Sequence, residues 1–463
     1  MKKRPLVTVY ITNHNYARYL RKAIDTVLSQ TMQDFELIII DDGSKDNSQE
    51  IIKEYENKKG VRAIYQRNKG LNVSNNIALR SARGKFIIRL DADDYLDRNA
   101  LLLMSNVLKN NDKIAIVFSD YYYSDANDNI IGMERRFSFD KEVSLYDKPA
   151  HGACSMIRVR CLQNLGGYSE NYQCQDGYDL WLKLIERYKV ENINLPLFYY
   201  RQHGCNLTRD EARILKTRAR IKEDFVSKRF KDKLPVLAII PVRGQEIDPD
   251  DVALKRMKEK RVIDWTIASA QNVKDIFKIV ITSPDKQVES YIKKRYKNAR
   301  KVVFLKRAKE YARLNTGLSE TVKEIISNLS IKNSKDTVIL QLSIEYPFLR
   351  DIYIKKMINT MRIFNVDSVI CVRPDTGIYY KHNGSGMVPI LKQDNFTKLE
   401  RDYIYKHSGG SCLVKLDAFR KYNDFIVGKT GHVVIDQMAS QQVRSDMDLR
   451  LAEFLANEYK ERS

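Results

Sequence analysis

Short β-rich apolar runs alternate with amphipathic helical stretches along this chain, and the alternation restarts midway. That pattern limits the fold more than any other feature. LVTVYIT (6–12) is β-rich, and in the following NYARYLRKAIDTVLSQ the residues Tyr19, Leu20, Ala23, Ile24, Val27 and Leu28 share one helical face. FELIII (35–40), VRAIYQ, KFIIRL and KIAIVFS continue the strands, with helical segments between them. Asp46 with Gln49 reads as an N-cap pair opening the second helix. Around 225–234 the chain becomes basic and irregular (VSKRFKDKLP). Then VLAIIPV, VIDWTIASA, KIVITS and DTVILQL begin a second series. Alternation of this kind predicts mostly parallel sheets with ligands at the strands' carboxyl ends. The expected fold class is α/β, with two Rossmann-like nucleotide-binding domains at 1–230 and 235–463.

A length of 463 residues gives each domain enough chain for its own core. No apolar run approaches the roughly 18 residues of a membrane-spanning helix. The opening MKKRPLVTVYITNHN reads as a first strand rather than a signal peptide. The six cysteines show no CxxC spacing, which suits reduced thiols and a cytoplasmic location. A net charge of +21 admits nucleic acid, anionic lipid or an anionic substrate as partner. Neither zinc-finger spacing nor an aromatic RNA-binding signature is present, so no nucleic acid partner is expected. The excess is concentrated in 201–233 and in 286–310, where ten basic residues face two acids.

Acidic residues mark two strand ends. Asp41 and Asp42 follow one strand; Asp91, Asp93 and Asp94 follow another, in KFIIRLDADDYLD. A single strand-end Asp is commonly a turn or helix cap. Two clusters at one sheet edge ask for a compensating charge, and a hard divalent cation bridging carboxylate and diphosphate oxygens supplies it. Such an ion would stabilise a leaving nucleoside diphosphate.

Residues 5 to about 210 resemble an inverting family 2 glycosyltransferase of the GT-A fold. The resemblance rests on VTVYITNHNYARYLRKAIDTVLSQT, DFELIIIDDGSKDNS, NKGLNVSNNIAL, ARGKFIIRLDADDYL, LGGYSENYQCQDGYDLWLKL and YYRQHGCNLT, in family order and spacing. It implies a nucleotide pocket lined by Thr12, Asn15, Asp42 and Asp91, with Asp42 near the base. It implies a DxD motif at Asp91–Ala92–Asp93, with Asp93 the foremost ligand of Mg2+ or Mn2+, Asp91 beside it and Asp94 assisting. His203 in RQHG matches a late histidine that contacts metal or diphosphate.

An inverting transfer also needs a base to take the acceptor's proton. The resemblance places it before the DLW helix, where Asp176 and Asp179 are the candidates. Asp176 is preferred, with Asp179 pairing inside the helix start and Trp181 and Leu182 in the core. The sequence reads Gln175–Asp176 where the commoner form has Glu-Asp.

Residues 235–463 resemble the cytidylyltransferases that make CMP-activated nonulosonic acids such as CMP-sialic acid, through VLAIIPVRGQ, VIDWTIASA, DTVILQL and a late LAE. Aligned from Arg243, the phosphate-loop lysine falls on Ile247, and a later Arg-Lys-Asn triplet on Asp251, Val252 and Ala253. The metal motif aligns with SQQVRSDMD, its two aspartate positions being Gln442 and Arg444. Arg243 and Gln341 persist. The expectation is a cytidylyltransferase-like fold without that activity, serving as scaffold, dimerisation or substrate-binding domain.

The expected protein is a glycosyltransferase of hexosyl or N-acetylhexosaminyl type. It would move a sugar from a UDP-linked donor to a surface polysaccharide or lipid-linked glycan. Its basic surface would suit peripheral contact with an anionic membrane, and its second domain a homo-oligomer. The rival readings are a bifunctional transferase and CMP-sugar synthetase, and a non-catalytic glycan-assembly protein.

Overall fold

The strand β1 (Val7–Asn13) is buried along nearly its whole length, as a central strand covered on both faces must be. In the computed structural model, residues 4–135, 152–172, 176–203, 211–329, 336–375, 379–390 and 404–461 are described, with Ile331 and Gly377. The chain divides into two units, one built on residues up to Ile221 and the other from Lys222 onward. The division falls inside the helix Glu211–Arg229. The stretch read as irregular from 225 is therefore helical as far as Arg229. It is rich in Lys, Arg and Glu, which form helix readily, and has no Gly or Pro to interrupt it.

In the first unit β1 lies between β2 (Phe35–Asp42) and β4 (Phe86–Asp91), parallel to both, and β3 (Val61–Gln66) extends the sheet beyond β2. The other strands are β5 (Tyr95–Leu96), β6 (Ile114–Ser124), β7 (Ile130–Glu134), β8 (Met156–Arg158) and β9 (Lys189–Arg201). The sheet order is β3-β2-β1-β4-β8-β6-β9-β5, with β7 beside β6. β8 runs antiparallel to both β4 and β6. The expectation of a mostly parallel sheet thus holds for β1 to β4, and the sheet as a whole is mixed. No periodicity signal distinguishes a three-residue inserted strand such as β8 from loop.

Val7, Val9, Ile11, Leu37 and Ile39 pack against Leu20, Ala23, Ile24 and Val27 of the helix Ala17–Leu28. Tyr19 and Leu28, read on the same face, are only half-buried. Trp181 and Leu182 are buried as expected, Trp181 meeting Phe118 edge to face at 5.7 Å. The helix after β2 starts at Ser48, with Asn47 rather than Asp46 at its cap position. Asp46 still accepts the Ser48 N–H at 3.1 Å, but Gln49 turns away and donates to Asp41 at 3.0 Å.

The second unit begins with β10 (Val236–Pro241), followed by the pair β11 (Arg256–Met257) and β12 (Lys260–Arg261), β13 (Ile276–Ser283), β14 (Val302–Lys306) and β15 (Val338–Leu342). β16 (Ser368–Asp375), the pair β17 (Tyr380–His382) and β18 (Met387–Pro389), β19 (Ile404–Lys415) and β20 (Thr430–Val434) complete it. Its main sheet has the order β14-β13-β10-β15-β19-β16-β20. β10, β13, β14 and β15 are parallel, and β19 runs antiparallel to β15 and β16. Leu237, Ile239, Val280, Ile339 and Val414 form its core with Val322, Ile325 and Phe419.

Cys154, Cys161, Cys371 and Cys412 are unpaired and buried; Cys174 and Cys205 lie outside the described residues. Burial pushes the thiols of Cys154, Cys371 and Cys412 up to about 12, which makes them poor nucleophiles. Among the described residues no helix is long and apolar enough to cross a membrane.

Candidate active site

Strand register brings the two acidic clusters together. In the parallel β2-β1-β4 set, Asn13 lies beside Asp41 and Thr12 beside Asp91. The hydroxyl of Thr12 donates to Asp91 Oδ1 at 3.3 Å. Asn15 takes a left-handed backbone (φ 62°), and its Oδ1 accepts the Lys45 N–H at 2.7 Å. The same residue's N–H donates to Ser44 Oγ at 2.9 Å, so Asn15 shapes the turn after β2. Asp41 is absorbed by that turn, accepting from Asn13, Ser44 and Gln49.

Asp42 is also engaged. Its carboxylate accepts from Gln66 Nε2 at 2.7 Å and from the N–H groups of Lys69 and Gly70 at 2.8 and 2.9 Å. It therefore pins the start of the helix Leu71–Ser81 to the end of β2. Beside it lies an open cleft of about 520 Å³ lined by Ser44, Lys45, Tyr65, Gln66, Arg67 and Asn68.

The second cluster is only partly compensated. Arg89, buried in β4, lies 3.0 Å from Asp91 Oδ1 through its Nε. Asp93 Oδ2 is 3.0 Å from His203 Nε2, and His203 stacks on Tyr19 with centroids 5.2 Å apart. Asp94 is fully buried; its Oδ1 accepts the Arg201 N–H at 2.9 Å, and its Oδ2 has no partner among the described residues. The Arg201 guanidinium donates to the Asp93 carbonyl at 2.7 Å and to Asp128, and lies over the rings of Tyr19 and Tyr95. Burial first, then the Asp91 charge, raises the Asp93 carboxyl above its ordinary range. Burial, with Asp93 and Asp91, raises Asp94 well above it.

These residues fit a small hard cation. Asp93 and His203 offer an oxygen and a nitrogen side by side, and the buried Asp94 Oδ2 lacks a compensating group. Among the described residues no three His, Cys, Asp or Glu side chains form a complete cage. Mg2+-type sites commonly take one or two protein ligands and draw the rest from substrate phosphates and water.

The base candidates separate. Asp179 is buried and ion-paired to Lys183 at 2.6 Å, one helical turn on. Asp176 opens the helix Asp176–Arg187, and its side chain lies outside the described residues. The backbone brings that helix start close to Arg89. A Cβ at Gly177 would sit 3.5 Å from Gly152 Cα, and a Cβ at Gly152 would sit 2.7 Å from an Arg89 guanidinium nitrogen. Glycine at 152 is thus what leaves room for Arg89 beside Asp91.

Arg89, Arg201 and Tyr19 are site residues that the motif reading passed over. A charged residue inside the apolar run FIIRL was the available signal for Arg89. For Arg201 the signal was its place two residues before His203.

In the second unit Gly244, at φ 75°, passes so close to Asp285 that a Cβ would lie 2.2 Å from the Asp285 Cβ. Its N–H donates to Asp251 Oδ2 at 2.9 Å, and the Ala253 N–H donates to Asp251 Oδ1 at 2.8 Å. Gln442 Nε2 and Arg444 Nε both donate to Glu345 Oε2, at 2.6 and 2.7 Å.

The profile of Glycosyl transferase family 2 matches residues 8–166. An uncharacterized glycosyltransferase of Methanocaldococcus jannaschii is 34% identical over 209 residues, which are 43% of this chain and 71% of that protein. The chain belongs to glycosyl transferase family 2. Escherichia coli chondroitin synthase is 31% identical over 207 residues, 44% of this chain and 30% of the synthase. Pasteurella multocida hyaluronan synthase is 31% identical over 204 residues, 44% of this chain and 21% of the synthase. The chain therefore spans less than a third of either synthase. Among solved structures, Staphylococcus aureus TarS 1–349 is 17% identical with a TM-score of 0.39, over 48% of this chain and 65% of that one.

Arg89→Met should lower the stability of the protein by about 2–3 kcal/mol, since Asp91 is left beside two other carboxylates without its cation. In an Asp91→Asn background the same substitution should cost about 1 kcal/mol less. Chemical denaturation of the single and double variants measures the coupling, and strictly additive losses would mean the pair does not interact.

Proposed function

We propose that the chain transfers a sugar, with inversion and with Mg2+ or Mn2+, from a UDP-linked donor to a polysaccharide or lipid-linked glycan. The observation behind this reading is the meeting of Asp91, Asp93 and His203 at the carboxyl edge of β4 and β1, beside the open cleft at the ends of β2 and β3. The GT-A assignment and the site roles belong to the same proposal. The cation would be held by Asp93 and His203, with Asp91 at its side, and would neutralise the diphosphate as it leaves. Thr12 keeps Asp91 in place, while Asn15 and Asp42 hold the loops that frame the nucleotide cleft.

Asp176, at the helix start, is assigned as base. As the acceptor oxygen bonds to the anomeric carbon, the acceptor proton passes to the Asp176 carboxylate. The bond from that carbon to the diphosphate breaks, and the electron pair leaves with UDP. Asp179 is assigned to the helix, since Lys183 already neutralises it. A cytoplasmic location, contact with an anionic membrane through the basic surface, and a homo-oligomer through residues 235–463 complete the reading.

For residues 235–463 we propose a cytidylyltransferase-like domain without synthetase activity. Two features support this. The loop N–H groups that a triphosphate would need are engaged by Asp251, and the positions aligned with metal ligands are a Gln and an Arg bound to Glu345. A cation brought there would meet Arg444 first.

Asp93→Ala should abolish transfer and remove the Mn2+-dependent part of UDP affinity, read by calorimetric titration. Unchanged affinity would take Asp93 out of the metal site. Asp176→Asn should leave donor affinity near wild type and lower turnover by about 10² or more, the usual order for a lost general base. If Asp179→Asn shows that loss and Asp176→Asn stays active, the base is Asp179. The intact chain incubated with CTP, Mg2+ and nonulosonic acids should release no pyrophosphate above a sugar-free control. Release would establish the bifunctional reading instead.

A further inference from the structure

We infer that the second unit contains a binding cleft for acidic glycan chains along the helix Lys286–Arg295. An open cleft of about 760 Å³ runs there, and its cations are Arg261, Lys286, Lys294 and Arg295. Its neutral polar lining is Gln287, Ser290 and Tyr291. The helical residues fall at i, i+1, i+4, i+5, i+8 and i+9, which is a single stripe of one helix.

The acids near this stripe have partners: Asp285 caps the helix through the Gln287 N–H at 2.7 Å, and Glu246 also accepts the Lys286 N–H. Glu289 pairs with Lys293 at 2.6 Å on the adjoining face, and Glu246 pairs with Lys309 at 3.0 Å. Asp264 accepts the hydroxyls of Tyr291 and Tyr296 at 2.7 and 2.8 Å and caps the helix Val262–Gln271 through the Arg261 N–H. Among the described residues no ion pair involves Arg261, Lys286, Lys294 or Arg295. Cations in the last turn of a helix suit its dipole, and that alone could account for Lys294 and Arg295. Lys286 stands in the first turn, where a cation opposes the dipole, so helix stability does not explain it.

The arrangement selects among anions. Lys286 and Lys294 are two turns apart, about 12 Å along the axis, which suits charges repeated along a chain rather than one phosphate group. One face of the Tyr291 ring is covered by the Arg261 guanidinium at 4.3 Å, which leaves it less room for stacking a nucleobase. A concave cleft also gives a flat lipid surface poor access to its lining. Gln287 and Ser290 remain as partners for sugar hydroxyls. That the anions are borne on a glycan rests on the transferase reading above; the requirement for repeated negative charge does not.

The test uses the intact chain and alginate oligosaccharides, a polyuronate, titrated by calorimetry at low and physiological salt. Neutral dextran, a DNA duplex, and phosphatidylcholine vesicles with about one-fifth phosphatidylserine are run alongside. Alginate should bind, dextran should not, and Lys294→Glu should weaken alginate binding about tenfold. Lys293→Glu makes the same change of charge outside the cleft and should leave affinity within about twofold. Equal losses in the two variants, absence of alginate binding, or tighter binding of the duplex or vesicles would overturn the proposal. Metal-dependent UDP-sugar hydrolysis should be unaltered in Lys294→Glu. A wild-type chain that binds alginate but hydrolyses no donor would defeat the transferase reading and leave the cleft standing.

Discussion

Asp91 lies between an ion pair and a strand register, and the arrangement of the first unit's site follows from that position. The parallel pairing of β1 and β4 sets Thr12 opposite Asp91, so the acidic run that follows β4 must turn at the sheet edge beside β1. Arg89, two residues earlier on the same strand, is buried against Asp91 and fits there because residue 152 has no side chain. Buried charge is costly unless partnered, and here the partner comes from within the strand. The carboxyls of Asp93 and Asp94 are raised by burial first, Asp93 then by the Asp91 charge and Asp94 by Asp93 and Asp91.

The second unit settles its charges differently. There the loop after β10 is closed by its own carboxylate, with Asp251 taking two backbone N–H groups that would otherwise point outward. Burial raises the Asp251 carboxyl, so this closure is bought with some desolvation. Just past β15, the neighbour of β10, Gln442 and Arg444 converge on one oxygen of Glu345. Both arrangements are internally satisfied. Cations of this unit line up along the helix Lys286–Arg295, whose N-cap Asp285 packs against that same loop at Gly244.

The sequence disclosed strands far better than the way they pair. FELIII, VRAIYQ and KFIIRL are strands because β-branched and apolar residues run without interruption, and their order along the chain was enough to place two acidic clusters at one edge. β8 and the antiparallel direction of β19 were not legible, since direction depends on tertiary connections rather than on local pattern. Asp93 and His203 could be paired from the motif alone, and the geometry brings them together at 3.0 Å. Asp42 was legible as a site residue but not as the anchor of the helix Leu71–Ser81, because its three donors come from residues 24 to 28 positions away. Tyr19 was read on the apolar face of its helix from the period; it is half-buried and stacks on a histidine that no local pattern could bring to it.

His203 reaches the site through Arg201. That arginine ends β9, more than a hundred residues after Asp94, yet its backbone N–H caps the Asp94 carboxylate and its side chain caps the Asp93 carbonyl. The guanidinium is then fixed from outside by Tyr19, Tyr95 and Asp128, and Asp128 is held in turn by Lys22 at 2.7 Å. β5, which lies directly after the acidic run, pairs with β9 at Tyr199 and Phe198, so the two segments share one antiparallel ladder. The distance between Asp93 and His203 is therefore set by backbone pairing and a buried cation rather than by two flexible side chains. Two side chains held that way lose little conformational entropy if a third group joins them, and this gives Arg201, which is not among the residues lining the open cleft, its place beside Asp93 and His203.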